Sequence, residues 1–390
     1  MKTPLLVDDT VLLREVIAEA ASARRVAVDV ESNGLYVYQQ QLCTMQLAWG
    51  SSDDDSRVAI IDTLAVPFAE IVRLIESAAV IKVFHDLAFD ARMLRKSGAQ
   101  LAHVADTSVA ATYLGFPATG LASMLAAELG VHLDKTLQKA DWSRRPIDGN
   151  ALKYLAGDVS NLLQLHDRLD ERVQEAGIAD EVATETAYRL QCALDEGENT
   201  RPPWVRIRGA DQLGAPSRAA LRHLADARER LAEARNVPLF RVAADKALLA
   251  LATERSTSRN RLERLLGHHR HRGDDEVIRA FSLAIVQADT NVSVGDAEPV
   301  AVDFGLRDTE AAQKRRRVET RLSAWRAGEA KRRSVHAQVV LPSHCLRRVV
   351  ADDLRVPEAI AAIPGLGASR AARYAHVVAQ VASDADAAPD

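Results

Sequence analysis

Asp29 and Glu31 stand two residues apart in the run Arg25-Val26-Ala27-Val28-Asp29-Val30-Glu31. On a strand both side chains leave one face, while Val26, Val28 and Val30 take the other. Tyr154 and Asp158, in Tyr-Leu-Ala-Gly-Asp, are four apart and share a helix face about one turn apart. Asp90, in His85-Asp86-Leu87-Ala88-Phe89-Asp90, sits one turn into the helix expected after a strand at Val80 to Phe84. Carboxylates from separate elements are the oxygen donors that hard divalent ions such as Mg²⁺ accept in preference to His or Cys. Two such ions roughly 3.5–4 Å apart can clamp both oxygens of a phosphodiester displaced in line. Each piece also has a plainer reading. Acidic residues number 54 of 390, so about seven pairs at the Asp29–Glu31 spacing arise by chance, the usual false-positive risk of a short motif. Taken alone, Tyr154 and Asp158 read as an exposed i,i+4 pair, and Asp90 as an acid favoured by a helix dipole.

The elements that must position these residues read as α/β over the first 200 positions. Short β-rich runs occur at Arg25 to Glu31, Leu42 to Trp49 and Arg57 to Ile61, with Gly50 and a Ser/Asp cluster marking the turn between the last two. Pro67 opens a helix. Val80 to Phe84 is a further strand, Asp86 the expected N-cap, and Leu87 to Lys96 a helix closing at Gly98. Further helices follow, the last spanning Asn150 to Glu175. A three-strand meander followed by alternating helix and strand predicts a mixed sheet flanked by helices, with the Asp29 strand away from its edge.

Beyond Arg201-Pro202-Pro203-Trp204 the periodicity is helical only. Leu224, Arg228, Val242 and Leu248 recur 98 residues later as Leu322, Arg326, Val340 and Leu346, without a gap. The stretch from Asp289 to Val302 reads as the linker between two small all-helical domains. The net charge of −4 averages two unlike parts: residues 1–200 carry −12 and residues 201–390 carry +8. An acidic half suits cations and a basic half suits polyanions. Three scattered cysteines exclude a disulfide scaffold or Cys-based zinc module and suit a reducing cytoplasm. No run of eighteen apolar residues exists, so no membrane span is expected.

Asp-x-Glu on a first strand, an Asp after a strand-helix turn, and Tyr-x-x-x-Asp on a late helix resemble the three motifs of the DEDD exonuclease superfamily, tyrosine subtype. Asp141-Trp142-Ser143-Arg144-Arg145-Pro146, Leu133-Asp134-Lys135 and Asp106-Thr107 are similar to stretches of the ribonuclease D family within it. This resemblance covers residues 20 to 175. Residues 213–290, with Asn236-Val237-Pro238-Leu239-Phe240-Arg241-Val242, and 303–383, with Ile363-Pro364-Gly365-Leu366-Gly367, resemble the helicase-and-RNase-D C-terminal (HRDC) domain. The first copy has His268 to Arg272 in place of the Ile-Pro-Gly-Leu turn, and the turn Ser32 to Tyr36 departs from the commoner Phe-containing version.

The resemblance implies an α/β ribonuclease-H-like domain, a mixed sheet flanked by helices, over residues 1–200, then HRDC-like domains at 210–290 and 303–385. It implies a metal-dependent 3′→5′ exoribonuclease acting in tRNA 3′ maturation, with two divalent ions (Mg²⁺ or Mn²⁺). Asp29 would bridge both ions, Glu31 and Asp158 complete one shell, Asp90 serve the other, and Tyr154 orient the attacking water. RNA is the partner expected, tRNA precursors first, in the cytoplasm, with no membrane and no obligate protein partner. The alternatives are a DNA 3′→5′ exonuclease of the same superfamily and an inactive RNA-binding protein.

Other residues have two readings each. Arg145 and Trp142 offer phosphate pairing and base stacking, or a Trp that anchors a loop. Tyr36 offers a stack on the terminal base, or fills the sheet margin; Gln46 contacts substrate, or is a hydrogen-bonded strand amide. The run Lys314-Arg315-Arg316-Arg317, continuing to Arg321 and Arg326, is denser in charge than solvation needs and predicts phosphate contact. The turn at Ile363 to Gly367 is either a phosphate-binding hairpin or a packing turn. His268 to Arg272 reads as a solvated basic loop.

Overall fold

The computed structural model describes residues 3–50, 56–195, 202–267, 274–294 and 309–387. The His268–Arg272 loop and the linker from Gly295 to Val302 lie outside the described residues. Contacts group the chain into two units. Residues 1–32, 42–197 and 307–390 form one, and residues 33–41 with 198–306 form the other.

The first unit is built on six strands: β1 Leu5–Val7, β2 Arg25–Ser32, β3 Leu42–Trp49, β4 Arg57–Asp62, β5 Ile81–Phe84 and β6 Val104–Asp106. Their order in the sheet is β1-β4-β3-β2-β5-β6. The meander β2-β3-β4 is antiparallel and β1, β5 and β6 join in parallel, so the sheet is mixed and β2 is interior. Every residue of β3 is buried, because helices cover both faces. On the Val26-Val28-Val30 face lie α1 (Thr10–Ser22), α2 (Ala69–Ile75) and α3 (Ala88–Lys96), sharing a core with Leu13, Ile71 and Met93. The other face carries α4 (Thr107–Tyr113), α5 (Leu121–Leu129) and α7 (Leu162–Glu175) around Ala27, Val83, Tyr113 and Leu165. On this same second face, α6 (Gly149–Ser160) lies on β3 and β4, with Ile60, Trp142, Leu155 and Ala156 in a small separate core. A long α8 (Ala179–Asp195) closes this part of the chain.

One local expectation needs correction. Asp86 does not cap α3: its backbone is left-handed (φ 66°), its side chain is exposed, and the helix starts two residues later. Asp106 takes that task from the next strand, accepting the N–H groups of Asp86 and Leu87 at 3.0 Å and of Ser108 at 2.8 Å. Gly98 closes α3 at φ +100°, as its position predicts.

The two helical segments repeat in detail. Arg228 donates to the Ala243 carbonyl (3.1 Å) and the Asp245 carboxylate (2.6 Å). Arg326 donates to the Ala337 carbonyl (3.0 Å) and Ser343 Oγ (3.3 Å), and Ser343 stands 98 positions after Asp245. The left-handed residues Asn236 and Arg255 recur at the same offset as Ser334 and Asp353. Each segment has its own core, around Leu224, Leu248 and Phe281 in one and Leu322, Leu346 and Val378 in the other. Arg326 is therefore an internal brace, and the expectation that it meets phosphate is corrected.

In the first unit, helix Ala368–Ala387 and the turn before it pack on α8. Arg370, 1% exposed, donates to the carbonyls of Val339 (2.9 Å), Leu366 (3.0 Å) and Glu181 (3.2 Å) and to the Tyr113 hydroxyl (3.1 Å). Tyr113 in turn donates to Glu185 (3.0 Å). A side chain at Gly365 would meet His344 and Tyr188 at 2.5–2.6 Å, and both Gly365 and Gly367 have φ +80°. The Ile363–Gly367 turn is thus a packing turn. Arg370→Ala strands four acceptors at once; a loss of about 3 kcal/mol or more is expected, read as a lower midpoint in urea unfolding of the full chain.

Candidate active site

The interior position of β2 brings the first two acids onto the middle of the sheet, where both side chains are half-buried. Across β2-β3, Asp29 stands opposite Gln46 and Glu31 opposite Thr44; across β3-β4, Thr44 stands opposite Asp62. Directly opposed residues share a face, so Glu31, Thr44 and Asp62 form one row and Asp29 lies beside it. After Glu31 the register shifts: Ser32 pairs with Leu42, leaving Cys43 as an extra residue. Such a bulge re-aims side chains and leaves its own backbone groups unpaired. The Cys43 carbonyl accepts Arg145 Nη2 instead, at 3.0 Å.

Helix α6 lies over this row and delivers Asp158. One carboxylate oxygen from each of Asp29, Glu31 and Asp158 falls within 4.8 Å of the others. Asp90 reaches the same place from α3: its Oδ1 accepts the Val30 N–H at 3.0 Å, which fixes it beside Asp29. Tyr154, one turn before Asp158, lies against Trp142 with ring centroids 5.6 Å apart at 32°. A cavity of 460 Å³ opens beside Tyr154 and Asp158, lined also by Asp134, Thr136, Lys153 and Asn161. A larger one, 760 Å³, lies at the opposite end of the strands, beside Arg25, Trp49 and Ile81. Convergence of carboxylates, not volume, distinguishes the first.

Proximity and burial dominate the electrostatics. Burial, then the charges of Asp90, Asp158 and Glu31, holds Asp29 well above the usual carboxylate range. Burial and Asp158 push Glu31 up to about 8, with the Trp142 indole N–H restraining the rise although it makes no full hydrogen bond. Burial takes Asp158 to about 6. It raises Asp90 well above the ordinary range against the pull of its backbone N–H bonds. Burial and the nearby acids raise the Tyr154 phenol as well, so at neutral pH it keeps its proton and can donate. No cation is among the groups that shift the four carboxyls.

The remaining expected contacts fare differently. Trp142 is 5% exposed and packs on Tyr154, so it anchors its loop and is closed to a substrate base. Arg145 uses all five N–H donors internally: two on Asp62 (both 2.5 Å), and one each on the carbonyls of Trp142 (2.7 Å), Arg144 (2.8 Å) and Cys43 (3.0 Å). None is left for a phosphate. Gln46 is fully buried; its Nε2 donates to Thr44 Oγ1 at 2.7 Å and its Oε1 has no partner, so it is a strand amide out of substrate's reach. Tyr36 belongs to the second unit, with the Arg241 guanidinium 5.5 Å from its ring centre. Its neighbour Tyr38 donates to Glu229 at 2.8 Å. Arg315 and Arg316 are exposed on helix Thr309–Arg333, and Arg317 is half-buried. Sequence reasoning passed over Asp62; an acid ending an apolar strand was its only local mark.

The descriptions of two families match this chain: "3'-5' exonuclease" over residues 4–174 and "HRDC domain" over residues 217–274 and 315–381. Ribonuclease D of Acidiphilium cryptum is 32% identical over 270 residues, 68% of this chain and 67% of that protein. The chain belongs to the ribonuclease D family. Ribonuclease D of Gluconacetobacter diazotrophicus is 31% identical over 276 residues, 68% of this chain and 66% of that one. These alignments leave about a third of each relative uncovered. The crystal structure of Escherichia coli RNase D, at 20% identity, superposes with a TM-score of 0.73 over 98% of this chain and 99% of that chain, and so shares the fold.

The all-oxygen donor set of Asp29, Glu31, Asp90 and Asp158 fits hard divalent ions. Raised carboxyl pKa values mean the folded chain holds protons that the unfolded chain releases. Without metal, stability therefore falls as pH climbs from 4.5 to about 8 for Glu31 and from 3.8 to about 6 for Asp158. In EDTA, Asp29→Asn should melt higher than the parent, by about 2–4 °C per kcal/mol of repulsion relieved. The difference should be larger at pH 8 than at pH 5.5 and should vanish or reverse in Mn²⁺. Differential scanning fluorimetry at the two pH values checks this.

Proposed function

We propose that this chain removes nucleotides one at a time from RNA 3′ ends, acting on tRNA precursors in the cytoplasm. The observation that carries the reading is the convergence of the Asp29, Glu31 and Asp158 carboxylates within 4.8 Å, with Tyr154 one turn away. No helix among the described residues is long and apolar enough to cross a membrane, which accords with that location.

Asp29, Glu31, Asp90 and Asp158 would hold two divalent ions, Mg²⁺ or Mn²⁺. When bound, these supply acidification of the attacking water and neutralisation of charge at the leaving oxygen. The protein's own part is positional. The Val30 N–H fixes the Asp90 carboxylate. Trp142 limits the ring of Tyr154, which as a protonated phenol orients the water by donating or accepting a hydrogen bond and does not act as a base. Arg315, Arg316 and Arg317 would meet RNA phosphates outside the site, at 303–385, the second of two helical domains after the catalytic 1–200; the first covers 210–290.

Incubation of the full chain with a tRNA bearing extra 3′ nucleotides tests this. Stepwise shortening is expected in Mg²⁺ or Mn²⁺ and none in EDTA. Asp158→Ala should lower the rate by about a thousandfold, the several kcal/mol of transition-state stabilisation that a bound ion contributes. Equal shortening in EDTA, or faster attack on a DNA 3′ end of matched sequence, would overturn the reading.

A further inference from the structure

We propose that Asp62 is a positioning residue of the exonuclease site, acting through Arg145 and Trp142. The inference rests on the hydrolytic reading of the carboxylate cluster and adds a residue to it. Asp62 is 5% exposed at the end of β4, in the same cross-strand row as Thr44 and Glu31, two strands from the cluster. Its two carboxylate oxygens accept Arg145 Nε and Nη2 at 2.5 Å each, the forked geometry that fixes a guanidinium in plane and direction. Asp62 is itself held: it accepts the Leu64 N–H at 3.0 Å, and its carbonyl accepts those of Ala65 (3.0 Å) and Val66 (3.1 Å).

What the fork holds is the loop entering α6. Arg145 Nη1 binds the Trp142 and Arg144 carbonyls, and Nη2 also binds the carbonyl freed by the bulge at Cys43. Trp142 is thereby pinned between the sheet and α6, packed with Ile60, Leu155 and Ala156 and with its ring on Tyr154. Asp62 thus reaches the cluster from two strands away without touching it.

The experiment compares parent, Asp62→Asn, Trp142→Phe and the double variant on a single-stranded RNA in Mn²⁺, with calorimetric Mn²⁺ titration of each protein without RNA. If Trp142 and Tyr154 drift by about 1 Å, a loss near a hundredfold is expected in kcat, with KM within about twofold. Asp62→Asn should leave Mn²⁺ binding near parental, since the path runs to Tyr154 and moves no metal-holding carboxylate, and should add little to Trp142→Phe if it acts through that residue. Asp62→Glu, which keeps the charge, should recover part of the loss. Should Asp62→Asn fail to fold, Arg145→Lys, which keeps a cation but cannot fork, should give the same fall in kcat. A folded Asp62→Asn with parental kcat, a change confined to KM, or full additivity with Trp142→Phe would overturn the proposal. A parent protein that cleaves no RNA would instead overturn the hydrolytic reading itself.

Discussion

Four carboxylates gathered on the middle of the sheet repel one another and lose hydration, and among the described residues no cation stands among the groups that shift them. In a medium of low dielectric such a group either takes up protons or recruits cations. Much of the first unit is arranged to bear this penalty. β2 is interior, so Asp29 and Glu31 are held in place by strands on both sides, only partly exposed. The bulge after Glu31 breaks the pairing at the point where the strand leaves the site. Asp90 is tied to the backbone of β2, and α6 is fixed along its length by Leu155, Ala156 and Val159. The penalty becomes useful only when ions arrive, since their affinity then draws on repulsion already built into the fold.

Several cations are committed to structure. Arg145 is closed around Asp62, Arg370 around Tyr113 and three carbonyls, and Arg228 and Arg326 around the equivalent turns of the two helical repeats. Each is a planar fork whose several donors gather backbone carbonyls and side-chain oxygens from separate segments. This separates two kinds of basic residue in a chain whose second half carries +8. Some brace the helical domains; others, such as Arg315 and Arg316, stay on the surface. Density of charge along the sequence does not distinguish them.

What was legible in the sequence follows from range. The acids of the cluster were legible only as a set: each spacing, two on a strand and four on a helix, is common alone, and their order along the chain resembles the exonuclease motifs, while the gapless 98-residue repeat marked matching turns. The four longer strands were visible from composition and alternation, whereas β1 and β6, three residues each, are too short to show a period. Partnerships across the fold were hidden. Arg145 and Asp62 are 83 residues apart, and only the sheet register shows that a strand-ending acid faces the loop before α6. Trp142 and Arg145 looked like substrate contacts because aromatic and basic residues near a catalytic motif suit RNA; burial and saturated donors assign them to architecture. Asp86 looked like a helix cap until its left-handed backbone put Asp106 in that place.

The central claim is that the acidic cluster is a site for divalent ions. Crystals of the full chain grown or soaked in Mn²⁺ can be measured at a wavelength where manganese scatters anomalously. Two anomalous peaks roughly 3.5–4 Å apart, both within reach of Asp29, one also near Glu31 and Asp158 and the other near Asp90, are the expected result. Diffraction showing no peak at this cluster, with manganese bound elsewhere on the chain, would contradict it.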